Sequence, residues 1–130
     1  FHTQYRLTKD ISVLTVNPHM HLLGKVFLAY AVASEGDTIP LVRIRQWNFR
    51  WQYAYTFPRL LPLKKGSVIH VFGTFDNTVN NPDQPFRPPR AIVGSDSHFM
   101  RTTDEMFQFF VSYVDFRTGD EKIDLGRSVE

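Results

Sequence analysis

Two histidines stand one residue apart in the stretch NPHMHLLGK, Asn17 to Lys25, and a methionine opens the segment EMFQFFVSYVDF near the other end of the chain. In extended backbone, residues i and i+2 project to the same side. His19 and His21 can therefore face one point in space, and neutral imidazole is a ligand for copper, zinc, iron and nickel. The plainer reading is two polar residues on a solvent face, or one satisfied core histidine. In the later segment, Phe107, Phe109, Val111 and Tyr113 alternate as an aromatic, core-like face. Met106 falls on the opposite face with Gln108, Phe110 and Ser112. Its thioether is a soft donor that favours Cu(I), or it packs in a second small core. Spacing alone does not bring Met106 to the histidines.

The remaining candidates are weaker. His70, between Val68 and Phe72 on its face, reads as a buried, hydrogen-bonded histidine. His98 lies in the polar stretch GSDSHFMRTT, and His2 lies at a mobile end. Met20, between the two histidines, should point into the core. Ser95, Asp96 and His98 are close in sequence, but no nucleophile elbow or oxyanion motif accompanies them. Neither a phosphate-binding loop nor a dinucleotide fingerprint occurs. Asp104 and Glu105 are adjacent, so on a strand they face opposite ways and cannot pair as acid and base. The absence of cysteine removes disulfides, thiolate metal sites and thiol nucleophiles together.

The elements that would position these residues read as strands. Ile11–Val16 is rich in β-branched residues. Lys25–Ser34 is apolar and ends at the turn signal EGDT. In Ile39–Trp47, Leu41, Arg43 and Arg45 share one face and Val42, Ile44 and Gln46 the other. The aromatic run WNFRWQYAY reads as a core strand, leading to a turn at PLKKGS. Val68–Asn77 and Glu105–Phe116 complete the set, while the proline-dense Asn80–Ala91 is a loop. No segment shows a capped 3.6-residue period. The expected fold is an all-β antiparallel sandwich, jelly-roll-like, in which the first strand or strands are incomplete or missing, because FHTQYRL starts almost inside a strand.

Bulk properties fit one domain over residues 1–130. The length leaves room for one core, and 42% hydrophobic content is globular. Fifteen basic against thirteen acidic residues are scattered, without the basic patch that nucleic-acid binding needs. No apolar run reaches the roughly 20 residues of a membrane-spanning helix. The chain begins at Phe1 without methionine, as a processed protein or a piece of a longer one would.

PHMHLLGK, then IRQWNFRWQYAYTFPRLLPLKKGSVIHVFGTFDNTVNNPDQP, then TTDEMFQFFVSY together resemble the C-terminal domain of the copper type II, ascorbate-dependent monooxygenases. This is the group of the peptidylglycine α-hydroxylating and dopamine β-monooxygenases. The closer likeness is to bacterial relatives joined to cytochrome c-like segments, and it covers nearly the whole chain. The resemblance implies that His19, His21 and Met106 bind one copper ion, cycling between Cu(I) and Cu(II), at which oxygen is activated and a substrate C–H bond hydroxylated. It implies an external reductant, either ascorbate or a cytochrome c-like donor domain, and a periplasmic, cell-surface or secreted location.

Departures from the family pattern bear on the substrate. The family's carboxylate-gripping arginine corresponds to Asn17, and its substrate-contacting tyrosine to Phe110, with Gln108 between Met106 and Phe110 on the same face. A glycine-extended peptide is therefore not the expected substrate. The loop GSDSHFMR brings His98 and Met100 close enough to add or replace a ligand. Gly24 would let the chain turn away after the ligands, and Asp76 and Asn77 would shape a rim loop. Two further readings stand beside the enzyme. One is a binding or assembly module, with or without copper; the other is a carbohydrate-binding sandwich using Trp47, Trp51 and Tyr53.

Overall fold

The computed structural model describes residues 1–92 and 101–126, which form seven strands and one turn of 3-10 helix. The strands are β1 (His2–Arg6), β2 (Ile11–Met20), β3 (Gly24–Val32), β4 (Thr38–Ile44), β5 (Tyr55–Leu63), β6 (Val68–Phe75) and β7 (Phe107–Asp115). They make two antiparallel sheets, β1-β6-β3-β4 and β5-β2-β7, packed as a sandwich. The expected fold class is therefore the observed one. His98 and Met100 lie outside the described residues.

The core is the space between the sheets. Phe27 of β3 is fully buried and meets Trp47, Phe107 and Phe109 at centroid distances of 6.2, 5.7 and 5.8 Å. Val13, Val16, Met20 and Leu63 are buried with it. Burying a side chain of this size contributes about 1.5–3 kcal/mol, so these few residues carry much of the fold.

Two bulges set which residues reach that core. In β2 the register with β7 shifts between Val13 and Thr15, leaving Leu14 as the extra residue. Ile11 and Val13 are buried before it, and Val16, Pro18 and Met20 after it, so the inward phase changes from odd to even positions. In β4, Ala29 pairs with Val42 but Tyr30 with Pro40, which leaves Leu41 extra. Leu41 is buried, while Ile39, Val42 and Ile44 all pack on the core. The two-faced alternation expected for this strand is thus broken at Leu41.

Prolines sit where a missing N–H does no harm. Pro58 and Pro62 lie on β5, an edge strand. Pro18 lies where β2 has lost β5, whose pairing ends at Val16, and keeps only β7 as neighbour. The aromatic run WNFRWQYAY is not a core strand. Residues 46–54 form the irregular crossover between the sheets. Only Trp47 is buried, while Trp51 and Tyr53 are 65% and 52% exposed.

Gly24 also differs from expectation. It starts β3 without a left-handed φ, and a Cβ there would meet Met20 and Trp47 at 2.8–2.9 Å. Close packing, not turning freedom, requires the glycine. The rim loop is built as expected at its start. Asp76 accepts the N–H of Thr78 at 2.8 Å, and Asn77 donates to the Arg90 carbonyl at 3.0 Å. Buried Asn81 accepts from Lys25 Nζ at 2.7 Å and donates to the Asp76 carbonyl, also at 2.7 Å.

Candidate metal centre

The β2–β7 register brings most of the sequence-derived candidates to one place. Asn17 lies opposite Phe110, and His19 opposite Gln108. The last pair of the ladder is Met20 with Phe107, and His21 and Met106 follow directly beyond it on the two chains. Residues directly opposite in an antiparallel pair share a face, with Cβ atoms about 4.5–5.5 Å apart. Met20 and Phe107 face the core. Asn17, His19, Gln108 and Phe110 therefore share the outer face, His21 stands against His19, and the Glu105 carboxylate joins the backbone of His21 to that of Met106.

The two imidazoles are edge to face, with centroids 5.1 Å apart and planes at 88°. His21 is buried and His19 half-buried. What covers His21 is the crossover: Phe49 stands against its ring at 5.4 Å, and the Trp47 indole N–H donates to the His21 carbonyl at 3.2 Å.

Hydrogen bonds fix the tautomer of each ring. The Gln52 amide nitrogen donates to the Phe49 carbonyl at 2.7 Å, which turns the amide oxygen toward His19 Nδ1 at 2.5 Å. An oxygen can only accept there, so His19 carries its proton on Nδ1. The Asp104 carbonyl plays the same part for His21 Nδ1 at 2.8 Å. Among the described residues, neither Nε2 has a hydrogen-bond partner. In the neutral form such a ring presents a lone pair at Nε2, the arrangement in which a ligand histidine is oriented through its other nitrogen.

Glu105 ties the two ends of the site together. Its Oε1 accepts the N–H of His21 at 2.6 Å and of Met106 at 2.9 Å, and its Oε2 accepts the N–H of Leu23 at 3.0 Å. One carboxylate thus fixes the backbone on both strands that carry candidate ligands. Met106 is half-buried and borders an apolar hollow of about 300 Å³ with Leu23, Phe75 and Phe107. Phe110 and Gln108 are exposed on the open side of the face.

His2 and His70 are not part of this place. His70, expected in the core, is half-buried on the outer face of the four-stranded sheet, because Ile69 and Val71 take the inward positions of β6. His2, expected at a mobile end, belongs to β1 and pairs with Phe72. Among the described residues no three His, Asp or Glu side chains converge as a metal site. Gln52 and Glu105 were not singled out from the sequence as site residues. Glu105 stands in the same D-E-M run as Met106, but its hydrogen bonds span 82 and 84 residues.

The family model for the copper type II ascorbate-dependent monooxygenase, C-terminal domain, matches residues 2–125. No curated protein and no solved structure matches the chain.

Proposed function

We propose that this chain, which belongs to the copper type II ascorbate-dependent monooxygenase C-terminal domain family, holds one copper ion on His19, His21 and Met106. In this reading it is the oxygen-activating, substrate-hydroxylating half of a copper monooxygenase. The observation that carries it is the pair of Nδ1 hydrogen bonds, to Gln52 and to the Asp104 carbonyl. Both rings are held through Nδ1, with Nε2 unused among the described residues. A hydrogen-bonded histidine on a solvent face needs no such matched pair. The donor set, two imidazoles and one thioether, suits a soft ion.

Copper held on these residues would supply one-electron redox chemistry toward oxygen. The protein's own contribution is placement. Gln52 and the Asp104 carbonyl orient the rings, and Glu105 fixes the backbone of His21 and Met106. Phe49 and Trp47 cover His21 and keep water from that side. Asn17, Gln108 and Phe110 form the open, uncharged part of the face, where substrate would rest. Amides and an aromatic ring there suit a neutral substrate with apolar surface, not a carboxylate. Electrons come from outside the site, from ascorbate or a cytochrome-type donor. The protein works outside the cytoplasm, as periplasmic, cell-surface or secreted proteins do. No helix among the described residues is long and apolar enough to cross a membrane.

The test is copper stoichiometry. Purified protein is loaded with Cu(I) and compared with His19→Ala, His21→Ala and Met106→Ala. The expected result is one equivalent in the native chain, lost in either histidine variant and weakened in the methionine variant. No copper in the native chain, or undiminished copper in the triple variant, would overturn the reading and leave a copper-free binding module.

A further inference from the structure

We propose that His2 and His70 form a second cation site, on the outer face of the four-stranded sheet, able to take a borderline divalent ion such as Zn(II). His2 Nε2 and His70 Nδ1 are hydrogen-bonded to each other at 3.1 Å, one nitrogen donating and the other accepting, so an ion that takes both must displace the shared proton. Zinc binds imidazole nitrogen at about 2.0–2.1 Å, so two nitrogens of one tetrahedral centre lie roughly 3.3–3.4 Å apart. The two rings are nearly parallel, with planes at 12° and centroids 5.4 Å apart, so the nitrogens point at each other, and both imidazoles must turn for their lone pairs to meet on one ion.

Strand register creates the pair. His70 lies opposite Gln4 and His2 opposite Phe72, so the two histidines are diagonal neighbours on one face of the β1–β6 ladder. Aromatic rings flank both imidazoles. His2 lies over Phe72 at 4.2 Å with planes at 8°, and His70 lies against Tyr30 at 5.3 Å with planes at 26°. These ring contacts keep the two imidazoles side by side on the sheet face. His2 is exposed and His70 half-buried, which leaves the other coordination positions to water. This site shares no residue with the His19–His21 centre, which faces outward from the other sheet.

Zinc binding to the full chain tests it. The parent is the His19→Ala/His21→Ala variant, which removes the other histidine pair. It is titrated with Zn(II) by calorimetry at about pH 7.5, where ordinary imidazole is neutral. The expected result is one equivalent bound, abolished by adding His2→Ala or His70→Ala. Zinc should also raise the melting temperature of the parent but not of the His2→Ala variant, whose lost side chain is exposed and whose fold is checked by circular dichroism. A parent that takes up no zinc, or a His2→Ala variant that keeps the full equivalent, would overturn the proposal. Copper uptake by the otherwise native chain reports on His19 and His21, so failure of one site is distinguishable from failure of the other.

Discussion

The Glu105 carboxylate accepts the backbone N–H of His21 at 2.6 Å, joining the end of β2 to the residue before Met106. A carboxylate that accepts N–H groups from both strands fixes their offset. Hydrogen bonds to a charged group contribute about 1.5–3 kcal/mol each. Glu105→Ala should therefore destabilise the fold by about 2–4 kcal/mol. It should also weaken copper binding by about 10–100-fold, as loss of an outer partner does at other metal sites. Glu105→Gln keeps the shape and should lose less of both. Urea unfolding and a competitive Cu(I) titration measure the two effects; unchanged copper affinity in Glu105→Ala would refute the positioning role.

Gln52 orients His19 from an irregular segment and supports little else. Gln52→Ala should lower Cu(I) affinity by about 10-fold, the low end for an outer-partner loss. The urea midpoint should barely move. A large stability loss with unchanged copper affinity would show that the side chain serves the crossover, not the imidazole.

Gly24→Ala places a methyl group 2.8–2.9 Å from Met20 and Trp47. Overpacking of this kind costs about 1–3 kcal/mol. The expected outcome is a lower urea midpoint with an unchanged denaturant slope. Because Met20 lies between His19 and His21 and Trp47 packs beside it, near-ultraviolet circular dichroism should also register the disturbance around Trp47. Full native stability would mean that the packing relaxes freely.

Buried Asp120 accepts the Ser12 hydroxyl at 2.6 Å and the Arg117 N–H at 2.8 Å. The Ser12 hydroxyl first, and then that N–H, hold its carboxyl below the usual aspartate range. A lowered folded-state value means that stability is fully present above about pH 4 and is lost as pH falls through the lowered value. Ser12→Ala should reduce stability near neutrality and flatten its fall on acidification. Urea midpoints between about pH 7 and pH 3 give the comparison, and parallel curves for the two proteins would count against the coupling.

Much of the site was legible because a strand has a period of two. His19 and His21 on one side, Met20 inward, and the division of Phe107 and Phe109 from Gln108 and Phe110 all follow from the pleat and all appear in the structure. What was not legible depends on partners far away in sequence. Glu105 looked like half of a failed acid–base pair, since nothing local shows that its oxygens reach His21 and Leu23. Gln52 sits in a crossover whose aromatic composition imitates a core strand. His70 lies outside the core because its neighbours Ile69 and Val71 occupy the inward positions.

Leu14 is where the strand changes frame. Ile11 and Val13 are inward, and an unbroken count of two would make Asn17, His19 and His21 inward as well. The single extra residue works like an insertion in a reading frame: every position after it exchanges faces. Deleting Leu14 should therefore do more than shorten β2. It should aim the imidazoles into the apolar interior and turn Met20 outward, so the chain must either lose the outward His19–His21 pair or abandon the β2–β7 pairing. A half-buried residue without chemistry of its own thus decides which face His19 and His21 present.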